Sequence, residues 1–144
     1  MKIHQLSLFV ENKPGHLTRP MHLIADAGLD VRTISLADTE QFGILRLIVA
    51  DWQRAKAVLT DAGYVVTDTV VLAVEVPDKP GGLVQVLDVI EKSATNIEYL
   101  YAFPWGRGDQ AVIIFRFDDP DAALDVLEKA GFNVLESAAL YATE

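Results

Sequence analysis

Two short loops carry the residue types best suited to holding a small charged ligand. Asn12-Lys13-Pro14-Gly15-His16-Leu17 and Asp78-Lys79-Pro80-Gly81-Gly82-Leu83 each place a polar side chain, a lysine, a proline and a glycine directly before a stretch with helical spacing. Proline fixes one backbone angle and glycine admits left-handed ones, so the chain turns sharply and brings N–H groups to a helix start, where a carboxylate is favoured. Asn12 or Asp78 would accept hydrogen bonds from an ammonium group. Two readings follow: a receptor for a zwitterion, or a tight strand-to-helix turn with no ligand.

Other chemistry finds less support. The chain has no cysteine, which excludes disulfides, thiolate metal sites, cysteine nucleophiles and thiol redox chemistry and suits a reducing compartment. His4, His16 and His22 form no recognised metal-ligand spacing, and the carboxylates Asp118, Asp119 and Asp121 stand at a helix start, where capping explains them. Ser-His-Asp, Walker and Gly-x-Gly-x-x-Gly signatures are missing, so neither a catalytic set nor a cofactor is expected. Arg107-Gly108-Asp109 spells an adhesion tripeptide but reads as a hairpin turn.

Charge narrows the partners. Twelve lysines and arginines stand against 21 acidic residues, a formal charge of −9, and such a surface repels nucleic-acid phosphates and anionic lipid. Apolar types make up 51% of the chain, enough for a packed core, yet charges interrupt them too often for a membrane span. Met1-Lys2-Ile3-His4-Gln5-Leu6 lacks the pattern of a secretory signal, so the mature fold is expected to open at Met1 and the address to be cytoplasmic.

The elements that must position the loops occur twice. Val10, Lys13-Pro14-Gly15 and Leu17 align on Val76, Lys79-Pro80-Gly81 and Leu83. Asp51, Ala55, Val58, Leu59, Ala62, Gly63 and Val66 align on Asp119, Ala123, Val126, Leu127, Ala130, Gly131 and Val134. Each copy predicts strand (Gln5–Val10, Thr69–Val76), helix (Leu17–Ala27, Leu83–Ser93), two strands (Val31–Ala37 and Gly43–Val49, Ile97–Phe103 and Ala111–Phe117), helix and a last strand (Val65–Asp68, Val134–Leu140). The second helices open at Asp51 and Asp119, the latter followed by Pro120, and close at Gly63 and Gly131. Pro20 resists the pattern: either its helix starts late or it is kinked.

The order βαββαβ, twice over, is an α+β architecture of two ferredoxin-like units, residues 1–68 and 69–144. At roughly 70 residues each unit is marginal alone, so the two are expected to join.

The duplicated order and the two loops resemble ACT domains, regulatory modules that commonly bind amino acids. Their pattern is an acidic residue, any residue, Pro-Gly, any residue and leucine; the second loop fits it fully and the first carries Asn12 in place of the acid. Stretches such as Phe42-Gly43-Ile44-Leu45-Arg46 and Ile97-Glu98-Tyr99-Leu100-Tyr101 are similar to stand-alone tandem ACT proteins in particular. The resemblance implies a pseudo-dimer with a continuous eight-stranded sheet and helices on one face, ligand lying between the first loop of one module and the second strand of its neighbour. Residues 11–17 would then face Tyr99, Tyr101 and Phe103, and residues 77–83 would face Ile34, Leu36 and Asp38. The three aromatics alternate onto one strand face, where core or interface packing competes with ligand contact. His16 stands opposite Gly82 in the alignment and either touches ligand or faces solvent.

The implied role is a non-catalytic amino-acid sensor that alters its own assembly or a partner enzyme; the alternative is an accessory subunit of an amino-acid biosynthetic enzyme. A homodimer of four modules is expected, because exposed sheet edges and helix faces invite pairing.

Overall fold

The structure, a computed structural model, describes residues 2–38, 40–106 and 108–141. Met1, expected to open the mature fold, and Thr39 and Arg107, which belong to the two expected turns, lie outside the described residues. The chain forms β1 (Ile3–Glu11), α1 (Thr18–Asp26), β2 (Val31–Asp38), β3 (Phe42–Val49), α2 (Trp52–Asp61), β4 (Val66–Pro77), α3 (Gly82–Lys92), β5 (Ile97–Ala102), β6 (Gln110–Phe117), α4 (Pro120–Lys129) and α5 (Ser137–Tyr141). It divides into two compact units near residue 69, the first being His4–Thr69.

In the first unit the strand order is β2-β3-β1, with the N-terminal part of β4 beside β1. The pairings are antiparallel, Leu8 opposite Leu45 and Ile34 opposite Leu47. Alternation sends Leu6, Leu8, Val10, Leu45, Leu47 and Val49 to one face, where they meet Ile24 of α1 and Ala55 and Leu59 of α2. Both helices therefore cover the same face. Each fully buried leucine contributes about 1.5–3 kcal/mol relative to exposure.

The second unit repeats the plan with order β4-β6-β5. Leu72, Val74, Val76, Phe115 and Phe117 face Val86 and Ile90 of α3 and Ala123 and Leu127 of α4. Asp119 caps α4 by accepting from the Ala122 N–H at 3.1 Å, and Asp51 caps α2 by accepting from the Arg54 N–H at 3.3 Å, as the spacing predicts. Pro20 is the third residue of α1, in the first turn, where no helical hydrogen bond is lost. Its helix starts late and is not kinked; α3 begins at Gly82, two aligned positions earlier.

Two expected strands differ. Val65–Asp68 and Thr69–Val76 are not separate: they form the single twelve-residue β4, because Thr67-Asp68-Thr69 is polar but holds no glycine or proline to turn the chain. The last expected strand, Val134–Leu140, reduces to a bridge between Val134 and Val74, after which Ser137–Tyr141 winds into α5. Its Ala138-Ala139-Leu140 run favours a helix over an extended chain. The described residues thus hold six strands, not eight.

Both outer strands carry an irregularity at aligned positions. Register shifts between Val31 and Thr33 in β2 and between Ile97 and Tyr99 in β5, leaving Arg32 and Glu98 as the extra residues. Among the described residues no helix is long and apolar enough to cross a membrane.

Candidate functional site

Both Pro-Gly loops turn through a left-handed glycine, Gly15 at φ +86° and Gly81 at φ +84°, a conformation in which a β-carbon is strained. The turns are closed by the His16 N–H donating to the Lys13 carbonyl at 3.2 Å and the Gly82 N–H donating to the Lys79 carbonyl at 3.0 Å. Their entries are pinned by the Asn12 N–H on the Gln41 carbonyl at 2.9 Å and the Asp78 N–H on the Asp109 carbonyl at 3.0 Å. Beyond these anchors, the N–H groups of Gly15, Leu17 and Thr18, and of Gly81, Leu83 and Val84, meet no acceptor among the described residues. No side chain caps α1 or α3. In contrast to the aspartate-capped α2 and α4, the helix starts at the repeated loops carry the positive end of the helix dipole without a side-chain cap.

A cavity of about 520 Å³ opens beside the first loop. Pro14, Gly15 and His16 line it, together with Phe9, Glu11, Arg19, Phe42 and Tyr64 from the flanking elements. Glu11 Oε2 lies 3.1 Å from Lys13 Nζ and 4.0 Å from His16 Nδ1. Arg19 lies over the Tyr64 ring at 5.1 Å and donates to the Ala62 carbonyl at 3.2 Å. A smaller hollow of about 80 Å³ gathers Asn12, Lys13 and Leu17 with Leu36 of β2 and Gly43 of β3. The sequence singled out the loop residues in both places. It missed Phe9, Arg19, Phe42 and Tyr64, which come from separate elements and share no motif.

In the second loop Asp78, Lys79, Pro80 and Gly81 are exposed, while Leu83 packs against the core of its unit. Gly82 is buried, and a β-carbon built on it would overlap the carbonyl oxygen of Pro77. His16, its counterpart, carries a side chain that is 43% exposed, so the two loops differ in room as well as polarity.

Tyr99, Tyr101 and Phe103 do share one face, as their alternation predicts. Register places Tyr99 opposite Arg116 and Tyr101 opposite Ile114, and the Phe103 N–H donates to the Val112 carbonyl at 2.8 Å. That is the face turned away from α3 and α4, because the core residues Phe115 and Phe117 alternate with them. In β2, Ile34, Leu36 and Asp38 lie opposite Leu47, Leu45 and Gly43, at helix-side register positions. The counterparts of Ile34 and Leu36 in β5 are Leu100 and Ala102, so the two strand sets singled out in the sequence occupy unlike faces.

Away from the loops, Asp68 accepts from Lys56 Nζ at 3.0 Å and lies 3.3 Å from His4 Nδ1, and the His4 ring stacks on Trp52 at 4.2 Å. The Lys56 hydrogen bond holds the Asp68 carboxyl below its ordinary value of 3.8; burial opposes the shift and His4 reinforces it. A depressed carboxylate stabilises the fold above the unfolded value, and the contribution is lost as pH falls through the folded one. Lys56→Met should therefore lower stability by about 0.2–1 kcal/mol at neutral pH. Thermal denaturation followed across acid pH should show the gap between wild type and variant closing below pH 3.8.

Asp118 is engaged as well: it accepts from the Asn96 N–H at 3.0 Å, and Asp119 caps α4. Among the described residues no cluster of His, Cys, Asp and Glu is arranged to hold a metal.

Comparison with known proteins bears on the fold and the family. A crystal structure of a protein from Bacteroides thetaiotaomicron superposes with a TM-score of 0.91 at 31% identity, covering 99% of this chain and 98% of that one. The ligand-free regulatory subunit of aspartate kinase from Thermus thermophilus gives 0.65 at 16% identity, over 91% of this chain and 94% of that one. Aspartate kinase from Synechocystis gives 0.61 at 20% identity, over 93% of this chain but 26% of that one. No curated protein sequence matches. The family model described as an ACT domain pair matches residues 1–142, and with that match the chain belongs to the ACT domain family as a tandem pair.

Proposed function

We propose that this protein is a non-catalytic regulatory subunit serving an amino-acid biosynthetic enzyme, and that it responds to an amino acid held at a Pro-Gly loop. The observation that carries the reading is the family: the chain is a tandem ACT pair, and the same fold recurs over 94% of a separate aspartate kinase regulatory subunit and within a whole aspartate kinase.

The loops supply the means. Uncapped N–H groups of Gly15, Leu17 and Thr18, or of Gly81, Leu83 and Val84, suit a ligand carboxylate, and Asn12 or Asp78 suits its ammonium. For the ligand to signal, it must prefer one assembly or conformation over another. In this reading the chain forms a cytoplasmic homodimer of four modules. The two modules of a chain pair as a pseudo-dimer. Ligand lies where a loop meets the second strand of a neighbouring module.

A second reading, a sensor acting through its own assembly alone, is favoured by the same uncapped loops. Two measurements decide. Affinity purification of the tagged chain at high and low salt should retain an amino-acid biosynthetic enzyme whose activity changes with one amino acid; an enzyme-free chain that still answers an amino acid supports the second reading. A thermal-shift screen of all twenty amino acids should reveal the ligand. At a hundredfold its dissociation constant it should add about 2.7 kcal/mol, roughly 5–10 °C for a chain of this size. A chain that retains no enzyme and answers no amino acid overturns both readings.

A further inference from the structure

The Pro-Gly motif is more complete in the second copy, yet the surroundings of the two loops reverse that order. We propose that the ligand site is the first loop and not the second, and that its ligand is an amino acid with a large apolar or aromatic side chain; this rests on the amino-acid reading above.

The second loop has no room for a side chain at the start of its helix. Gly82 is buried against Pro77 so tightly that even a β-carbon overlaps the Pro77 carbonyl. Its surroundings also lack counterparts of the first copy's phenylalanine, histidine and arginine. Where the first copy has Phe9, Glu11, His16 and Arg19, the second has Glu75, Pro77, Gly82 and Gln85. The motif was copied, but the wall around it was not.

The first loop has that wall. Its cavity, about 520 Å³, falls in the range of small-molecule pockets. It carries both signs of charge, the Glu11 carboxylate on one side and the Arg19 guanidinium on the other, with Arg19 held against the Tyr64 ring. Its apolar part is aromatic. Phe9 is 67% exposed and Phe42 46% exposed, an arrangement that leaves large apolar surface in water until something covers it. In the β1–β3 register Phe9 pairs with Ile44 and Glu11 with Phe42, so Phe9, Glu11 and Phe42 share one sheet face and the two rings are diagonal neighbours.

A flat or bulky side chain lying across Phe9 and Phe42 places the ligand ammonium at Glu11. Its carboxylate then points to Arg19 and the Gly15 N–H. A small polar amino acid would leave the rings uncovered, and an acidic one would add a second carboxylate beside Glu11.

The test is a thermal-shift and calorimetric series on the full chain with phenylalanine, tyrosine, tryptophan and leucine set against aspartate, lysine and threonine. The first group should bind, and Phe9→Ser or Glu11→Gln should weaken that binding about tenfold or more, the scale of one lost charged or well-covered contact. Gln85→Ala, at the second loop, should leave it unchanged. Phe9 and Glu11 are exposed, so neither variant endangers the fold. Binding confined to small or charged amino acids overturns this inference while leaving the amino-acid reading intact. So does binding that survives Phe9→Ser and Glu11→Gln but is lost in Asp78→Ala. No binding by any of the twenty overturns both together.

Discussion

Gly82→Ala should destabilise the second unit by about 3 kcal/mol, out of proportion to the one methyl group it adds. The added carbon would overlap the carbonyl oxygen of Pro77, and that oxygen cannot step aside cheaply. Pro77 pairs with Gln110 at the end of the β4–β6 ladder, and its carbonyl already accepts the Lys79 N–H at 3.0 Å. Relief requires moving a strand end or the start of α3, which is what makes overpacking against backbone expensive. Gly81→Ala is the natural comparison. Nothing lies near a β-carbon there, so only the strain of a left-handed alanine remains, roughly 1–2 kcal/mol. Urea denaturation of the two variants should rank them in that order, and a loss below that of Gly81→Ala would contradict the close approach at Gly82.

Phe115→Ala should cost about 3–5 kcal/mol, the range for emptying a large aromatic site. Phe115 is fully buried, stacks on Phe117 at 5.4 Å between centroids and stands opposite Leu72. Its neighbours are held by the β4–β6 ladder and cannot collapse far into the space. Amide hydrogen exchange should show β4, β6 and β5 losing protection first. Protection lost equally in β1 and β3 would mean that the core of the second unit is not a separate structural unit.

What could be read from the sequence was what short-range chemistry decides. Asp119-Pro120 and Asp51 announce their helices because a carboxylate oxygen must meet an N–H three residues on, and the structure makes both bonds. The core faces were legible for the same reason, since alternation in Leu6-Ser7-Leu8-Phe9-Val10 leaves one set of side chains for the helices. The fusion of strands into β4 was not legible, because the polar Thr67-Asp68-Thr69 looks like a boundary and is only a polar stretch of a continuous strand, exposed at Thr67 and half-buried at Asp68 and Thr69. The tail after Val134 was expected to extend because the repeated order calls for a last strand there, but its Ala138-Ala139-Leu140 run winds into a helix.

At the site, the loops were legible because proline and glycine punctuate them. The cavity was not, because Phe9, Arg19 and Phe42 belong to three different elements, Tyr64 to the loop before β4, and each looks ordinary in isolation. One signal was present and unread: the copies agree in the motif and disagree around it, Glu11 against Pro77 and Arg19 against Gln85. What duplication failed to keep sets the first loop apart from the second.

The supernumerary residues Arg32 and Glu98 give each module a built-in phase inverter. Because side chains alternate strictly along an extended chain, ironing either bulge flat while keeping its residue would turn every later residue of the border strand inside out, whereas excising the residue would leave them as they stand. In β5 the flattened register would swing both tyrosines toward the helices and throw Leu100 to the other side. In both copies the bulge thus sets which way the border strand presents its side chains.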